Sequence, residues 1–341
     1  MKMVLGKIRK AAVTGGGGFI GSNLVRRLLA QGVSVVLVGR GEYPELVRAG
    51  ALPDRGDVRD RAFLERAFAG CDTVFHVAAK AGIWGNRAEY FGINLTGTEN
   101  VIGACRRNLV PRLVYTSTPS VIFAGQDVAG GDESLPYPKK FLCHYAASKA
   151  AAERAVLAAH GPELATVALR PHLVWGPGDT NLIPRLLERG RKGLLKRVGE
   201  GNNLVDISYI DNVVDAHLLA AESLAGIGTA GGQAYFISQG EPVNLWGWID
   251  EFFALVGVPP VAKSVSLGKA RLAGAVLETL YGLLRIEREP LMTRFLAEQL
   301  AHSHWFSIAA ARRDLGYEPR IATGEGLLRT AAWLEARSAR T

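Results

Sequence analysis

The chain has 341 residues, 48% of them hydrophobic and 21% charged, and a formal net charge of +8. That balance excludes a disordered chain, and the length points to about two domains rather than one core. Lys and Arg are dispersed without a basic arm, which argues against nucleic acid as the partner, and three cysteines (Cys71, Cys105, Cys143) outside any C-x-x-C pair exclude a disulfide framework and fit a reducing cytoplasm.

The first ten residues hold no apolar core of signal-peptide length, so no secretory signal is expected. No uncharged apolar stretch is long enough to span a bilayer. Residues 10–14 read as a first strand, followed by strand-like runs at 33–38, 73–77, 112–117 and 166–170. Between them apolar residues recur at helical spacing, as in Leu24, Leu28, Leu29 and Leu64, Ala67, Phe68. Strand–helix alternation of this kind predicts an α/β fold, a doubly wound parallel sheet covered on both faces. After Pro171 the rhythm changes. Gly176-Pro177-Gly178 marks a loop, 182–195 a basic helix, 205–208 and 234–238 further strands with a helix at 211–221 between them, and from 241 the pattern is mostly helical. The expected division is a dinucleotide-binding Rossmann domain from 1–175 and 205–240, and a smaller, mostly helical substrate lobe from 176–204 and 241–341.

The turn after the first strand carries the first chemistry. Gly15, Gly17, Gly18, Phe19, Ile20 and Gly21 follow a strand and open a helix, with glycines 15, 18 and 21 in G-x-x-G-x-x-G spacing. Gly15 permits the tight turn, Gly18 lets backbone approach a pyrophosphate, Gly21 allows close helix packing, and the helix N-terminus offers N–H groups to the anion. At the end of the second strand, NAD-binding folds place an acid on the ribose 2′-hydroxyl; this chain has Arg40, which would pair with a 2′-phosphate. NADP(H) is therefore expected over NAD(H).

Tyr145 and Lys149 stand at i, i+4 in a segment rich in helix formers, one turn apart on one face. A phenol of pKa ~10 is a poor base at neutral pH, and bringing it to neutrality takes roughly 4 kcal/mol of differential stabilisation. A lysine and a positive nicotinamide ring are sources of it. Hydroxyls at Ser117, Thr118 and Ser120 follow the strand ending near residue 117, at the carboxyl edge where parallel sheets bind ligands. Such a hydroxyl holds a substrate oxygen while the phenol moves the proton.

These motifs resemble the extended short-chain dehydrogenase/reductases, as do Asp57-Val58, His76-Val77-Ala78-Ala79, Asn94-x-x-Gly97-Thr98 and Arg170-Pro171 before Trp175-Gly176-Pro177-Gly178. The resemblance covers nearly the whole chain. It implies that Asp57 and Val58 contact adenine, that the Ala78–Ala79 turn flanks the nicotinamide ribose, that Val174 packs near the nicotinamide, that Lys80 and Pro171 also belong to the cofactor site, and that Lys149 also binds ribose hydroxyls. The triad hydroxyl aligns with Thr118, where many relatives have Ser; Ser117 and Ser120 are possible substitutes.

Within the family the chain is similar to the 3β-hydroxysteroid dehydrogenase-like branch, and there to reductases of branched β-keto acids in long-chain olefin biosynthesis. The segments carrying this likeness are Ala79-Lys80-Ala81-Gly82-Ile83-Trp84-Gly85, the WGPGD run, and 293–300 before His304-Trp305. The resemblance implies a hydrophobic carboxylate substrate, a homodimer, and a pathway complex with a β-lactone synthetase and a β-lactone decarboxylase. A 3β-hydroxysteroid-type dehydrogenase, a nucleotide-sugar epimerase or dehydratase, and a non-catalytic NADP-sensing module are the alternatives.

Ile83 and Trp84 are placed to wall the nicotinamide pocket. Leu245, Trp246, Trp248, Phe252 and Phe253 offer apolar surface for an alkyl tunnel or for core, with core favoured for any one of them. Arg185, Arg189 and Arg294 are candidates for the substrate carboxylate. Residues 265–288 read as a core helix, with a peripheral membrane or partner surface as the alternative. His76 reads as structural, and no ligand set for a metal is present.

Overall fold

The computed structural model describes residues 8–225 and 229–339. Its centre is a seven-stranded, all-parallel sheet in the order Gln233–Ile237, Ala165–Pro171, Arg112–Thr116, Thr73–His76, Lys10–Thr14, Ser34–Gly39, Leu52–Arg55. The doubly wound sheet expected from the alternation is therefore present. Thr73–His76 and Arg112–Thr116 are buried at every position, as central parallel strands must be when helices cover both faces. The strand Leu52–Arg55 was not among the strand-like runs. It holds Pro53 and Asp54, and only an edge position tolerates a residue with no ladder N–H.

Two apolar clusters lie against this sheet. One joins Leu24, Val25 and Leu28 of helix Phe19–Ala30 to Val213, Val214 and Leu218 of helix Ile210–Ser223. The other joins Phe63 and Leu64 to Val101, Ile102 and Cys105 of helix Gly97–Arg107 and to Ala152 and Val156 of helix His144–Ala158. Chain order reverses between Lys10–Thr14 and Thr73–His76, so the crevice at the strands' carboxyl ends opens there.

The remaining chain gathers at the same edge. Val128–Gly131, Leu204–Val205, Val243–Asn244 and His304–Phe306 form a small four-stranded sheet. Trp246, Trp248, Phe252 and Phe253 of helix Leu245–Leu255 enter the first core with Trp175 and Tyr209. They are core, not tunnel wall. Helix Leu267–Leu283 departs from its expected core role: only Ala270 and Gly274 are buried along it. No helix among the described residues is long and apolar enough to cross a membrane.

Candidate active site

A cleft of about 870 Å³ runs along the carboxyl edge of the sheet from the glycine loop to helix Leu182–Arg191. Gly15 sits at φ +66, and a Cβ there would lie 2.7 Å from the backbone N of Ala78; a Cβ on Gly21 would lie 2.2 Å from the Gly15 carbonyl oxygen. The loop is thus drawn against both the fourth strand's end and its own helix. Gly18 caps helix Phe19–Ala30 and lines the cleft, and the helix's first turn holds no acid to compete for an anion. Phe19 and Ile20 line the cleft as well. Gly17 does not: the Tyr43 ring covers it, 1.8 Å from where its Cβ would be. The glycine cradle and the free helix terminus fit a dinucleotide diphosphate.

At the outer end stand Arg40, Asp57, Val58 and Tyr43. The Asp57 carboxylate accepts from Arg59 Nε at 2.9 Å and Nη2 at 2.7 Å, and these bonds hold its carboxyl down at about 2. Arg40 is 70% exposed and 4.0 Å from that carboxylate, which leaves its guanidinium turned to the solvent side of the cleft. Tyr43 was not singled out in the sequence. Tyrosine beside a charged loop carries no signal, and only the fold lays it on the glycines.

The proton-transfer groups lie deeper. Helix His144–Ala158 brings Tyr145 and Lys149 into the cleft wall beside Ser117 and Thr118 at the end of Arg112–Thr116. The Lys149 ammonium donates to the Thr116 carbonyl at 2.6 Å and sits 4.1 Å from the Tyr115 ring centroid. Burial pushes the Lys149 amine down to about 7 against a smaller opposing pull from Glu153. Burial likewise pushes the Tyr145 phenol up to about 12, which the neighbouring Thr118 hydroxyl partly offsets. Thr118 Oγ1 accepts from the Ser120 N–H and donates to Ser120 Oγ, both at 3.2 Å, so Ser120 stands behind Thr118 and does not line the cleft. Ser117 lines it with a buried hydroxyl that has no hydrogen-bond partner among the described residues.

A turn of π-helix, Gly92–Thr96, steadies this end. Asn94 accepts from the Lys80 N–H at 2.7 Å, donates to the Lys80 carbonyl at 3.2 Å, and donates to Ser148 Oγ at 2.9 Å. It therefore ties the turn of Ala78, Ala79 and Lys80, all lining the cleft, to the tyrosine helix. Asn94 stood in the sequence only as part of a motif, without a role. His76 is locked between Thr14 Oγ1 at 2.7 Å and Thr98 Oγ1 at 2.9 Å, with burial driving its ring down to about 3. It is structural, as read.

Pro171, Leu173, Val174, Leu182 and Ile83 supply the apolar wall facing the reacting groups. Leu173 and Leu182 were not anticipated; Leu173 adopts φ +42, which no residue pattern announces. Trp84, expected to wall the pocket with Ile83, does not line the cleft; its indole N–H donates instead to the Ile286 carbonyl at 2.9 Å. Of the three arginines weighed for a carboxylate, Arg185 lines the cleft and is held by Glu289 at 3.1 Å. Arg189 does not line it. Arg294 is a correction: its guanidinium is engaged by Glu278 at 2.6 Å and lies outside the cleft. No group of His, Cys, Asp and Glu that could hold a metal occurs among the described residues.

A doubly wound sheet with a glycine cradle and a phenol–amine–hydroxyl cluster at its switch point defines an oxidoreductase of the short-chain dehydrogenase type. Residues 12–266 match the 3-beta hydroxysteroid dehydrogenase/isomerase family, and the chain belongs to it. It is 50% identical over 325 residues to a 2-alkyl-3-oxoalkanoate reductase from Stenotrophomonas maltophilia, covering 95% of this chain and 98% of that protein. A 2-alkyl-3-oxoalkanoate reductase from Shewanella oneidensis is 48% identical over 336 residues, with coverage of 96% and 87%. Among solved structures, MoeE5 in complex with UDP-glucose and NAD superposes with a TM-score of 0.74 at 28% identity, covering 97% of this chain and all of that one.

Proposed function

We propose that the chain reduces a 2-alkyl-3-oxoalkanoate, a branched β-keto acid, to the 3-hydroxy acid with NADPH, as a step of olefin hydrocarbon biosynthesis. The observation that carries this reading is the placement in one cleft of Tyr145, Lys149 and Thr118, the glycine cradle, and Arg185 at the far end beside Ile83 and Leu182. Relatives about half identical over nearly the whole length bear that activity in their names. Arg40 supports NADPH, since the second strand ends on an exposed guanidinium where NAD-binding folds carry the acid that holds the ribose hydroxyls.

When bound, the reduced nicotinamide supplies the hydride that the carbonyl carbon accepts. Thr118 and Tyr145 hold the β-keto oxygen by hydrogen bonds, and Tyr145 gives it a proton as negative charge gathers there. A phenol at about 12 is fully protonated at neutral pH, the state a general acid needs. Lys149, fixed on the Thr116 carbonyl, neutralises the tyrosinate left behind. Arg185 exchanges Glu289 for the substrate carboxylate, and the apolar wall excludes water from the carbonyl.

The test is nicotinamide oxidation with a panel of 2-alkyl-3-keto acids, 3-ketosteroids and nucleotide sugars. Turnover of the keto acids with NADPH supports the reading. Preference for the steroids, or interconversion of sugars without net cofactor consumption, would replace it.

A further inference from the structure

Helix Leu267–Leu283 is clamped by one face and bare on the other. Ala270 and Gly274 are its buried residues, and Gly274 lies so close to the backbone of Thr293 and Arg294 that a Cβ would come within 2.6 Å of it. On the opposite face Leu272, Val276, Leu280 and Leu283 recur at i, i+4, i+8 and i+11, a single stripe turned to solvent. Leu283 is 76% exposed, and Leu284 and Leu291 in the following strap are exposed too. A helix that offers aliphatic side chains on its solvent side needs a cover other than its own core.

Charge and position say which cover. Lys269 lies at the start of the stripe, and Arg285 and Arg288 follow its end; all three are exposed, and the arginines make no salt bridge among the described residues. Glu278 and Glu289 are engaged by Arg294 and Arg185, leaving Glu287 as the exposed acid of the segment. A second copy laid along this stripe, parallel or antiparallel, would bring like charges together. The strap is continuous with the cleft mouth: Trp84 donates to the Ile286 carbonyl, Trp84 meets Tyr281 edge-on with centroids 6.2 Å apart, and Glu289 holds Arg185. An aliphatic stripe with basic ends and amphipathic aromatics beside it suits the boundary between headgroups and acyl chains.

We infer that the outer face of helix Leu267–Leu283 and the strap after it dock on an anionic phospholipid surface, setting the cleft mouth against the bilayer. The helix lies in the surface and does not cross it. Its consequence for a long-chain substrate, passage from lipid to cleft without crossing water, rests on the function proposed above; the docking does not.

Flotation of the full chain with vesicles separates the two, because it needs no substrate. The chain is expected to float with vesicles of phosphatidylcholine and phosphatidylglycerol and much less with phosphatidylcholine alone. The double variant Leu280→Glu, Leu283→Glu is expected to lose flotation at least about 10-fold. Arg285→Gln with Arg288→Gln is expected to lose about 30-fold in affinity for anionic vesicles, with partial rescue by lysine at both positions. Both variants keep parental turnover of a short, water-soluble β-keto acid, since neither pair lines the cleft. A chain that stays in the soluble fraction with both vesicle types overturns the inference. So does a dimer in sedimentation velocity that the leucine variant dissociates, which would give the face to a second copy.

Discussion

Tyr145 stands between two opposed influences, burial that raises its phenol and the Thr118 hydroxyl that lowers it. Removing the phenol oxygen leaves the ring's edge contact with Tyr90, centroids 6.5 Å apart, intact. Tyr145→Phe is therefore expected to fold, to bind NADPH within a few-fold of the parent by fluorescence titration, and to lose roughly 10³-fold in kcat. Retained turnover would remove Tyr145 as the acid. At the other end of the cleft, Arg40→Ser should lower kcat/KM with NADPH by roughly 10-fold and leave NADH little changed, because an exposed charge pair contributes modestly. Equal loss with both cofactors would show that Arg40 does not read the 2′-phosphate. Arg185→Met should raise KM for a keto acid about 10-fold more than for its ester. The tyrosine and lysine were legible because a four-residue spacing fixes a helix face before any fold is known. Arg294 misled because Glu278, its partner, sits on a helix whose approach no local pattern encodes.

The tyrosine helix carries its chemistry at a cost to its own stability. Lys149 and Glu153 are both buried on it, and Glu153 is taken by Arg170 through bonds of 2.7 and 3.0 Å and by the Tyr137 hydroxyl at 2.6 Å. Lys149 therefore has a carbonyl and an aromatic face for company and no carboxylate of its own. With the amine near 7 when folded and at 10.5 when not, the unfolded chain holds a proton between those values that the folded chain has released. Stability from this group accordingly rises with pH across that window. Lys149→Met is expected to melt higher than the parent by roughly 5 °C at pH near 6, with the difference shrinking as pH approaches 10, while turnover falls about 10³-fold. Melting curves of the cofactor-free proteins across pH check this, and a variant that melts lower throughout would refute it. Element identity was readable wherever a run was β-branched or helix-periodic. Burial was not: the leucines of 267–283 look the same whether they face a core or solvent, and only the packing of Gly274 on residues 293 and 294 decides.

At the scale of the molecule, the late segments return to the early ones through contacts hundreds of positions apart, in strands of two to four residues too short to show a period. Asp206 is one of the joints. It follows Leu204–Val205, its backbone N–H donates to the His304 carbonyl at 3.2 Å, and its Oδ2 accepts from the Phe306 N–H at 2.7 Å. Its Oδ1 is buried without a hydrogen-bond partner among the described residues, and burial pushes the carboxyl up to about 7, more than the Phe306 N–H and the Ser238 hydroxyl hold it down. Between its unfolded value of 3.8 and about 7 the folded chain binds a proton that the unfolded chain does not, so the contribution of Asp206 is whole below 3.8 and lost as pH rises through 7. Buried His76 and His217, held down to about 3 and about 4, give the opposite slope below 6.5. They do so equally in parent and variant. Asp206→Asn keeps the acceptor for Phe306 and cannot ionise, so the melting-temperature difference, variant minus parent, should climb from near its minimum at pH about 4 to a plateau above 7, higher by roughly 5 °C. If the two melting curves run parallel across that range, the carboxyl is ionised throughout and the joint carries its charge without penalty.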